Sequence, residues 1–273
     1  MLRLVASDMD GTLLRRDGSV SDRTRRALVG VQDGGATVVL VTARAPDTLR
    51  PLALAAGIST LALCCNGAVA YDVERDAVLR AITMDVDTVR NLIVALRAAL
   101  PGVAFGLRRR LEYVCEPAYR QLGGVLGDVT LGDALTLARV PAVKLVVRHP
   151  SLGADALLAH VQGLGLGGFE ATHSGAPFVE ISAPGVSKGF GLATLCADLG
   201  LAASDVVAFG DAPNDIPMLR WAGHGVAMAN AHPSVLAVAD EVAPSNHHDG
   251  VAATLERLFD LTTPTPRIRA GPS

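Results

Sequence analysis

Short apolar strands alternate with helical segments in the first and last thirds of the chain, and this alternation is the strongest constraint on its fold. Near the N-terminus, predicted strands at Leu2–Ser7, Ala36–Val41 and Leu61–Cys65 are separated by amphipathic segments with helix-start and helix-stop residues. Near the C-terminus the pattern resumes with a predicted helix at Ser187–Leu199 and a predicted strand at Val206–Gly210. Such alternation is typical of a parallel α/β sheet with helices on both faces.

The alternation stops in the middle of the chain, where short strands and two helices indicate a second, α+β module. Pro184-Gly185 marks the exit from this module. We therefore predict a core made of residues 1–82 and 184–261, an inserted module of residues 83–183, and a disordered tail of residues 262–273. Open α/β sheets bind ligands at the carboxyl ends of their strands. A module inserted at that edge would cover the site as a lid.

The composition predicts a cytoplasmic globular protein with no nucleic-acid or membrane partner. Half of the 273 residues are hydrophobic, and no apolar run approaches the roughly 18 residues of a membrane span. Arg3 and Asp8 come too early for a signal-peptide core. The net charge of −3 and the pI near 6.1 give no basic footprint. The four cysteines fit neither a zinc site nor a disulfide framework, so we expect buried thiols.

Two carboxylates follow the first predicted strand, in the stretch Asp8-Met9-Asp10-Gly11-Thr12-Leu13. In an extended chain both side chains would point to the same face, and like charges that close disfavour full ionisation of both. A divalent cation, or a reaction that needs one acid and one base, would offset the repulsion. An Asp-rich turn after a strand is the alternative.

More polar residues follow the other predicted core strands. Thr42 follows the second strand, Gly210-Asp211-Ala212-Pro213-Asn214-Asp215 follows the strand at Val206–Gly210, and Ser187-Lys188-Gly189 opens a helix. Lys188 is one of only two lysines among 24 basic residues. Carboxylates suit Mg²⁺, and an ammonium group, a hydroxyl group and helix N-terminal amides suit phosphoryl oxygens. The set predicts a phosphate site with Mg²⁺ at this edge of the sheet.

Four short motifs in this order resemble those of the haloacid-dehalogenase-like (HAD) hydrolases. They are Asp8-Met9-Asp10-Gly11-Thr12-Leu13, Thr42-Ala43-Arg44, Lys188, and Gly210-Asp211-x-x-Asn214-Asp215. The long insertion after the second motif resembles the type IIB cap of the Cof-type phosphatases. Membership would imply a Rossmann-like parallel-sheet core with an α+β cap. It would also imply Mg²⁺-dependent hydrolysis of a small phosphorylated metabolite, a sugar phosphate or a similar phosphomonoester, through an aspartyl-phosphate.

The resemblance also implies a role for each matching residue. Asp8 would be the nucleophile, and Asp10 the general acid and base. The implied phosphate or substrate contacts are Gly11, Thr42, Ala43, Arg44, Asn66, Lys188 and Asn214. The implied metal ligands are Asp8, Asp10 (through its backbone carbonyl), Asp211 and Asp215. Ion-pumping relatives have threonine at the position of Asp10, so its presence favours hydrolysis.

Residues outside these motifs are open to more than one interpretation. Arg44 could reach the substrate or pair with a carboxylate. We expect Lys144 to extend from a strand edge to solvent, and Arg108-Arg109-Arg110 to be a solvated charged turn, rather than substrate contacts. His173-Ser174 is the candidate specificity loop.

Two other functions stay open from the sequence. A phosphomutase would use the same nucleophile to return the phosphoryl group to another hydroxyl, and analysis of its products would reveal this. A phospho-aspartate signalling or ligand-binding module would show no turnover and would keep a stable phosphoenzyme. Neither the substrate nor the choice between monomer and homodimer follows from one sequence.

Overall fold

The computed structural model describes residues 1–109, 112–123, 125 and 128–261. The strands are β1 Leu4–Ser7, β2 Thr37–Val41, β3 Leu61–Cys64, β4 Val69–Asp72, β5 Ala77–Ala81, β6 Ala104–Arg108, β7 Tyr113–Cys115, β8 Thr130–Leu131, β9 Lys144–Arg148, β10 Glu170–Thr172, β11 Val179–Ser182, β12 Val206–Gly210, β13 His224–Met228 and β14 Glu241–Ala243. The predicted tail lies outside the described residues.

The helices connect these strands and cover the sheets. They are α1 Asp22–Asp33, α2 Pro46–Ala55, α3 Val86–Ala99, α4 Pro117–Gln121, α5 Ala134–Leu137, α6 Ala154–Gly163, α7 Lys188–Asp198, α8 Ile216–Trp221, α9 Pro233–Leu236 and α10 Gly250–Leu258. Single-turn 3-10 helices lie at Cys65–Gly67, Ala203–Asp205, Pro213–Asp215 and Asn246–His248. Among the described residues, no helix has the length and the apolar character that crossing a membrane requires.

The first sheet brings the two ends of the chain together. Its strand order is β14-β13-β12-β1-β2-β3-β4-β5, and the pairs from β14 to β3 are parallel. In register, Ser7 at the end of β1 lies beside Phe209 of β12 and Leu40 of β2. The residues that follow these three strands therefore meet at one edge. This confirms the predicted α/β class with a parallel-sheet core.

Alternation along β1 explains why helices cover both faces of this sheet. Val5 packs into a core cluster that also contains apolar residues of α1, α2 and α10. Leu4 and Ala6 pack on the opposite side, with apolar residues of α7 and α8. Successive side chains of a strand point to opposite faces, so an all-apolar strand needs cover on both sides. Burial of each such side chain contributes about 1.5–3 kcal/mol.

The second sheet comes entirely from the middle of the chain. Its strand order is β10-β11-β9-β6-β7-β8, antiparallel except for the pair β7–β8. The buried residues of α3 and α6 pack on one face of it, together with Leu145 and Val147 of β9. The other face looks towards the carboxyl ends of the first sheet. The bounds 83–183 for the inserted module stay a proposal from the sequence.

A close backbone contact fixes α7 against the turn after β3. Gly67 has a φ of +90°, and a Cβ atom there would lie 2.4 Å from the carbonyl oxygen of Ser187 and 3.2 Å from the Cα of Gly191. Ser187 caps α7 by accepting a hydrogen bond from the backbone N–H of Phe190. The next residue, Lys188, enters the site described below. Any side chain at position 67 would push the start of α7 away.

We expect Gly67→Ala to lower the free energy of unfolding by about 3 kcal/mol or more, because it adds a backbone clash to the strain of a positive φ. Gly35→Ala is the matched control, since Gly35 has a φ of +86° and nothing within 4 Å of the added methyl group. The control should lose only about 1–2 kcal/mol. Urea unfolding followed by circular dichroism measures both, and equal losses would contradict the proposed contact.

Candidate active site

Three carboxylates meet where β1 and β12 end. Single ligand oxygens of Asp8, Asp211 and Asp215 lie within 4.8 Å of one another. Asp8 follows β1, and its N–H donates to the carbonyl oxygen of Phe209 (3.0 Å), which extends the pairing of β1 with β12 by one residue. Asp215 accepts hydrogen bonds from the N–H groups of Asp211 and Ala212, both 2.9 Å long. The parallel register thus places two motifs about 200 residues apart in one cluster.

Lys188 enters this cluster from the first turn of α7. Its Nζ atom donates to Asp8 Oδ1 (2.6 Å) and to Asp215 Oδ1 (2.5 Å), and its side chain is 1% exposed. Burial by itself would lower the pKa of Lys188, but Asp215 and Asp8 hold that pKa above its usual value. Lys188 is therefore a permanently charged link between the two carboxylates, as the sequence led us to expect for a cation at this helix start.

The three carboxylates exceed the charge of the one ammonium group, and the pKa values of Asp8 and Asp211 are raised. Burial raises the pKa of Asp8 well above its usual value; Lys188 opposes this, while Asp215 and Asp211 add to it. Burial and then Asp215 raise the pKa of Asp211 to about 6, although Thr12 donates a stabilising hydrogen bond to it (2.8 Å). With all groups ionised the cluster would carry a charge of −2, which a divalent cation would neutralise.

The donor set fits Mg²⁺. Its preferred ligands are oxygens at about 2.0–2.1 Å, so two of them lie up to about 4.2 Å apart across the ion, close to the separations found here. Asp211 is also held tightly in place. Gly11 has a φ of +85°, and a Cβ atom there would lie 2.2 Å from Asp211 Oδ2, so only glycine permits this approach. Gly11 thus has a packing role beside its predicted phosphate contact.

Asp10 is not part of the carboxylate cluster. Arg44 donates two hydrogen bonds to it, from Nε (2.6 Å) and Nη2 (2.7 Å), and half of the Asp10 side chain is exposed. Of the two roles considered for Arg44, the structure shows pairing with a carboxylate. The hydrogen bonds that Arg44 donates to Asp10 raise the pKa of Arg44. The predicted metal contact of the Asp10 backbone carbonyl stays a prediction.

A series of hydrogen bonds links the predicted phosphate-binding residues of the first sheet to the second sheet. Asn214 donates to Asn66 Oδ1 (2.9 Å), and Asn66 donates to Glu180 Oε2 (3.1 Å) on β11. Glu180 also binds Lys144 of β9, and Lys144 donates to the carbonyl oxygen of Ala43 (2.9 Å). The Oδ1 atom of Asn214 is buried without a partner among the described residues. Asn214 is also one of the residues that line the cavity described next.

A cavity of about 920 Å³ lies between the two sheets. From the first sheet it is lined by Asp8, Asp10, Thr42, Ala43, Arg44, Asp47 and Asn214 among others. From the second sheet it is lined by Arg108, Lys144, Glu180 and Ser174 among others. Six of the predicted site residues therefore line one cavity. Lys188, Asp211 and Asp215 adjoin it through Asp8, which is one of the six.

Two interpretations of the inserted module were wrong. Lys144 does not extend from a strand edge to solvent, because β9 lies inside its sheet and the lysine is buried against Glu180, which holds the pKa of Lys144 above its usual value despite burial. Arg108 is not solvated either: it is buried and binds Asp47 (3.0 Å). Both residues line the cavity. Arg110 lies outside the described residues.

The remaining predictions for this region are mixed. Ser174 lines the cavity, whereas the ring of His173 lies 3.1 Å from Asp155. The four cysteines are buried free thiols, as expected. Sequence reasoning missed the roles of Thr12, Asp47 and Glu180. The position of Thr12 inside the first motif was a signal for a local role, but nothing local marks Asp47 or Glu180.

Comparisons with known proteins agree with one another. A family profile described as haloacid dehalogenase-like hydrolase matches residues 5–255. The chain is 31% identical over 272 residues to a pyridoxal phosphate phosphatase of Escherichia coli, covering 92% of this chain and 96% of that protein. It is 28% identical over 259 residues to a 5-amino-6-(5-phospho-D-ribitylamino)uracil phosphatase of Bacillus subtilis, covering 93% and 94%. The solved structure of a HAD subclass IIB sugar phosphatase superposes with a TM-score of 0.78 at 19% identity, covering 94% of this chain and 99% of the other.

Proposed function

The chain belongs to the haloacid dehalogenase-like hydrolases, and we propose that within this family it is a Mg²⁺-dependent phosphatase that cleaves a small phosphomonoester through an aspartyl-phosphate. The resemblance of the four motifs to this family and of the insertion to the subclass IIB cap is confirmed. The observation that carries the proposal is the buried carboxylate of Asp8, which lines a cavity and is bound by Lys188 beside Asp211 and Asp215.

In the first step the Asp8 carboxylate would attack phosphorus and the bond to the substrate oxygen would break. Lys188 lies 2.6 Å from Asp8 Oδ1, so it can neutralise charge on the phosphoryl oxygens as they arrive. Thr42 and Asn214 line the same cavity as Asp8. Asp8 is thus the nucleophile of an acyl-phosphate pathway.

Asp10 would supply a proton to the leaving alkoxide and later take one from the water that hydrolyses the aspartyl-phosphate. In the structure both of its oxygens accept hydrogen bonds from Arg44. Because donation requires a proton on Asp10, this ion pair would open on substrate binding. Arg44 would then be free to contact the phosphate or the substrate, which unites the two roles considered for it.

Asp8, Asp211 and Asp215 would hold the Mg²⁺ ion. When bound, such an ion neutralises charge on the phosphoryl oxygens. The residues of the chain fix the positions of these ligands: Thr12 holds Asp211, and two backbone N–H groups hold Asp215. The proposed ion would also offset the repulsion that raises the pKa of Asp211.

We expect Mg²⁺ to raise the melting temperature by roughly 5 °C at saturating concentration. Asp211→Asn should lose most of this rise, yet should stabilise the metal-free protein at pH 7.5 by about 1–2 kcal/mol. The reason is that the pKa of Asp211 is raised from 3.8 to about 6. A raised carboxyl pKa contributes stability at low pH that is lost as pH rises from about 4 through 6.

Thermal unfolding between pH 5 and pH 8, with Mg²⁺ or with a chelator, measures these effects. Asp33→Asn is the control, since Asp33 is an exposed carboxylate at the end of α1. A Mg²⁺ effect in Asp211→Asn as large as in the wild type would contradict the proposed metal site.

The relatives named above are described as acting on two different small phosphate esters, which supports the reaction class rather than one substrate. The test is phosphate release from a panel of phosphomonoesters, with Mg²⁺ or with a chelator, together with chromatography of the organic product. Metal-dependent release of phosphate is the expected result. Formation of an isomeric monophosphate instead would favour a phosphomutase, and absence of any product would overturn the phosphatase proposal.

A further inference from the structure

An aromatic and apolar wall closes the cavity on the side of the second sheet. It consists of Tyr113, Tyr119, Val125, Val129, Val146 and Phe178, and we call these residues the aromatic wall. The chain is poor in aromatic residues, with 4% Phe, Trp and Tyr and only three tyrosines in all. Two of the three tyrosines lie here. The larger apolar core of the second sheet lies on its other face. The residues of the aromatic wall form a small apolar cluster of their own, and this cluster lines the cavity.

Alternate side chains of β9 point to opposite faces of the second sheet, one towards the cavity and one towards the core. On β9, Lys144 and Val146 line the cavity, whereas Leu145 and Val147 belong to the core cluster. Lys144 reaches the backbone of Ala43 in the phosphate loop. Val146 lies two residues further along the strand, about 7 Å away. The aromatic wall therefore begins several bond lengths beyond the phosphate-binding end of the cavity.

One arginine holds the rings of Tyr119 and Phe178 in place. The guanidinium group of Arg148 lies 5.4 Å from the ring centroid of Tyr119 and 5.2 Å from that of Phe178. It also donates to the carbonyl oxygens of Leu122 (2.6 Å) and Gly123, so it is fixed itself. These contacts are cation–π interactions, which help to fix the orientation of the two rings. The wall is thus preorganised.

Room for the tyrosines comes from one glycine. Gly106 lies on β6, and a Cβ atom there would lie 2.1 Å from the hydroxyl oxygen of Tyr113 and 3.3 Å from Cζ of Tyr119. Their ring centroids are 6.2 Å apart at an interplanar angle of 59°. Any other residue at position 106 would force the two rings out of this arrangement.

The charges between the phosphate end and the aromatic wall are already neutralised. Arg108 binds Asp47, and Lys144 binds Glu180. Arg44 binds Asp10 at the phosphate end. Among the described residues that line the cavity, Arg44 is the cation that the proposed reaction would release, and it lies at the phosphate end. A second anionic group beside the aromatic wall would meet Arg108 and Lys144, which are already paired with carboxylates.

We propose that the substrate is a phosphomonoester whose alcohol part is a short polar chain ending in a planar aromatic or heteroaromatic ring, and that this ring packs against Tyr113 and Phe178. This inference rests on the proposed phosphatase function and names its substrate class. Offset or edge-to-face packing on fixed rings favours a planar partner over an open polyol. The polar chain would lie beside the two neutralised ion pairs.

The first experiment compares kcat/KM for ring-bearing and ring-free esters under the same conditions. Flavin mononucleotide and ribitol 5-phosphate form a matched pair, since they share the phosphorylated ribityl chain and differ in the ring. Pyridoxal 5′-phosphate and uridine 5′-monophosphate supply smaller rings, and glycerol 3-phosphate a second ring-free ester. The best ring-bearing ester should exceed both ring-free esters at least tenfold. Equal or lower values for all three ring-bearing esters would overturn the proposal.

The second experiment removes one ring from the wall. Phe178→Leu should lower kcat/KM for the best ring-bearing ester about tenfold, mainly through KM, and should leave ribitol 5-phosphate within about twofold. Phe190→Leu is the matched control, because Phe190 is an exposed phenylalanine on α7 that does not line the cavity. Equal losses for both kinds of ester would overturn the proposal.

Direct binding separates this inference from the proposed reaction. Pyridoxal, uridine and riboflavin lack the phosphate, and their binding to the wild-type protein can be followed by calorimetry without turnover. Saturable binding that weakens in Phe178→Leu would support the ring site even if no ester were hydrolysed, in which case the phosphatase proposal alone would fail. Absence of binding by all three, together with hydrolysis of ring-free esters, would overturn the ring site and leave the phosphatase proposal standing.

Discussion

Asp8→Asn should lower turnover by at least about 10⁴-fold while leaving the protein folded. The substitution keeps the shape of the side chain and removes the negative charge that makes it a nucleophile. Lys188 keeps its second partner, Asp215, at 2.5 Å, so the buried ammonium group is not left alone. The substitution also removes a buried carboxylate whose own pKa is raised by burial and by the charges of Asp215 and Asp211. The melting temperature of the metal-free variant should therefore equal or exceed that of the wild type.

Phosphate release at saturating substrate, measured beside a urea unfolding curve, tests this expectation. The exposed Asp33→Asn again serves as the control and should match the wild type in both measurements. A folded Asp8→Asn protein with turnover within about tenfold of the wild type would mean that another group attacks phosphorus.

Asp10→Asn distinguishes the covalent pathway from direct attack by water. If Asp10 activates the water that hydrolyses the aspartyl-phosphate, this variant should accumulate a phosphoryl group on Asp8. Rapid acid quenching and mass spectrometry of peptides containing Asp8 would detect it. Asp8→Asn/Asp10→Asn should show no such group. Phosphate on a different residue in the single variant would contradict the assignment of Asp8.

The sequence predicted well the arrangement of the first sheet and of the polar residues that follow its strands. Parallel strands end at a common edge, so short motifs after β1, β2 and β12 had to meet there, whatever the length of the chain between them. Capping residues helped to place the helices: Ser21 and Ser187 precede α1 and α7 and accept the expected backbone hydrogen bonds. These signals are local, and local signals are visible in one sequence.

The errors all concern contacts between distant segments. Lys144 was interpreted as a strand-edge residue because a lysine in an apolar strand has no partner in its own neighbourhood. Its partner Glu180 lies 36 residues later, and the order of β9 and β11 in the sheet decides that the two meet. The ion pair of Arg108 with Asp47 spans 61 residues and joins the two sheets. The hydrophobic periodicities of strands and helices, two and 3.6 residues, do not indicate which distant segments come into contact.

Very short elements were also missed. The helix α5 has four residues and the strand β14 has three. A hydrophobic pattern is reliable only over about 11 or more residues in a helix and about four or more in a strand. The sequence also did not predict that Tyr113 and Tyr119 lie together. Their contact depends on Gly106, which lies on a different strand. The sequence therefore located the phosphate end of the cavity, whereas the substrate end could only be described from the assembled sheets.

Lys188→Met should lower the free energy of unfolding by about 3–5 kcal/mol and lower turnover by at least about 10³-fold. The substitution leaves Asp8 and Asp215 buried without their common cation, and the phosphoryl oxygens without a charged donor. Lys144→Met is the matched control, because Lys144 is the other lysine and is also buried against a carboxylate. It should lose stability as well, but keep turnover of a small ester such as glycerol 3-phosphate within about tenfold.

The pH dependence of the Lys188→Met loss tests the physical cause. Lys188 opposes the rise in the pKa values of Asp8 and Asp211, so without its ammonium group these two pKa values rise further. The two groups then contribute stability at low pH that is lost as pH rises through those values. Urea unfolding should therefore show a small difference from the wild type near pH 4.5 and a large one at pH 8, and Mg²⁺ should restore part of the stability at pH 8 without restoring turnover. A loss of the same size at both pH values would mean that Lys188 acts through packing, since removal of an apolar contact does not depend on the protonation of its neighbours.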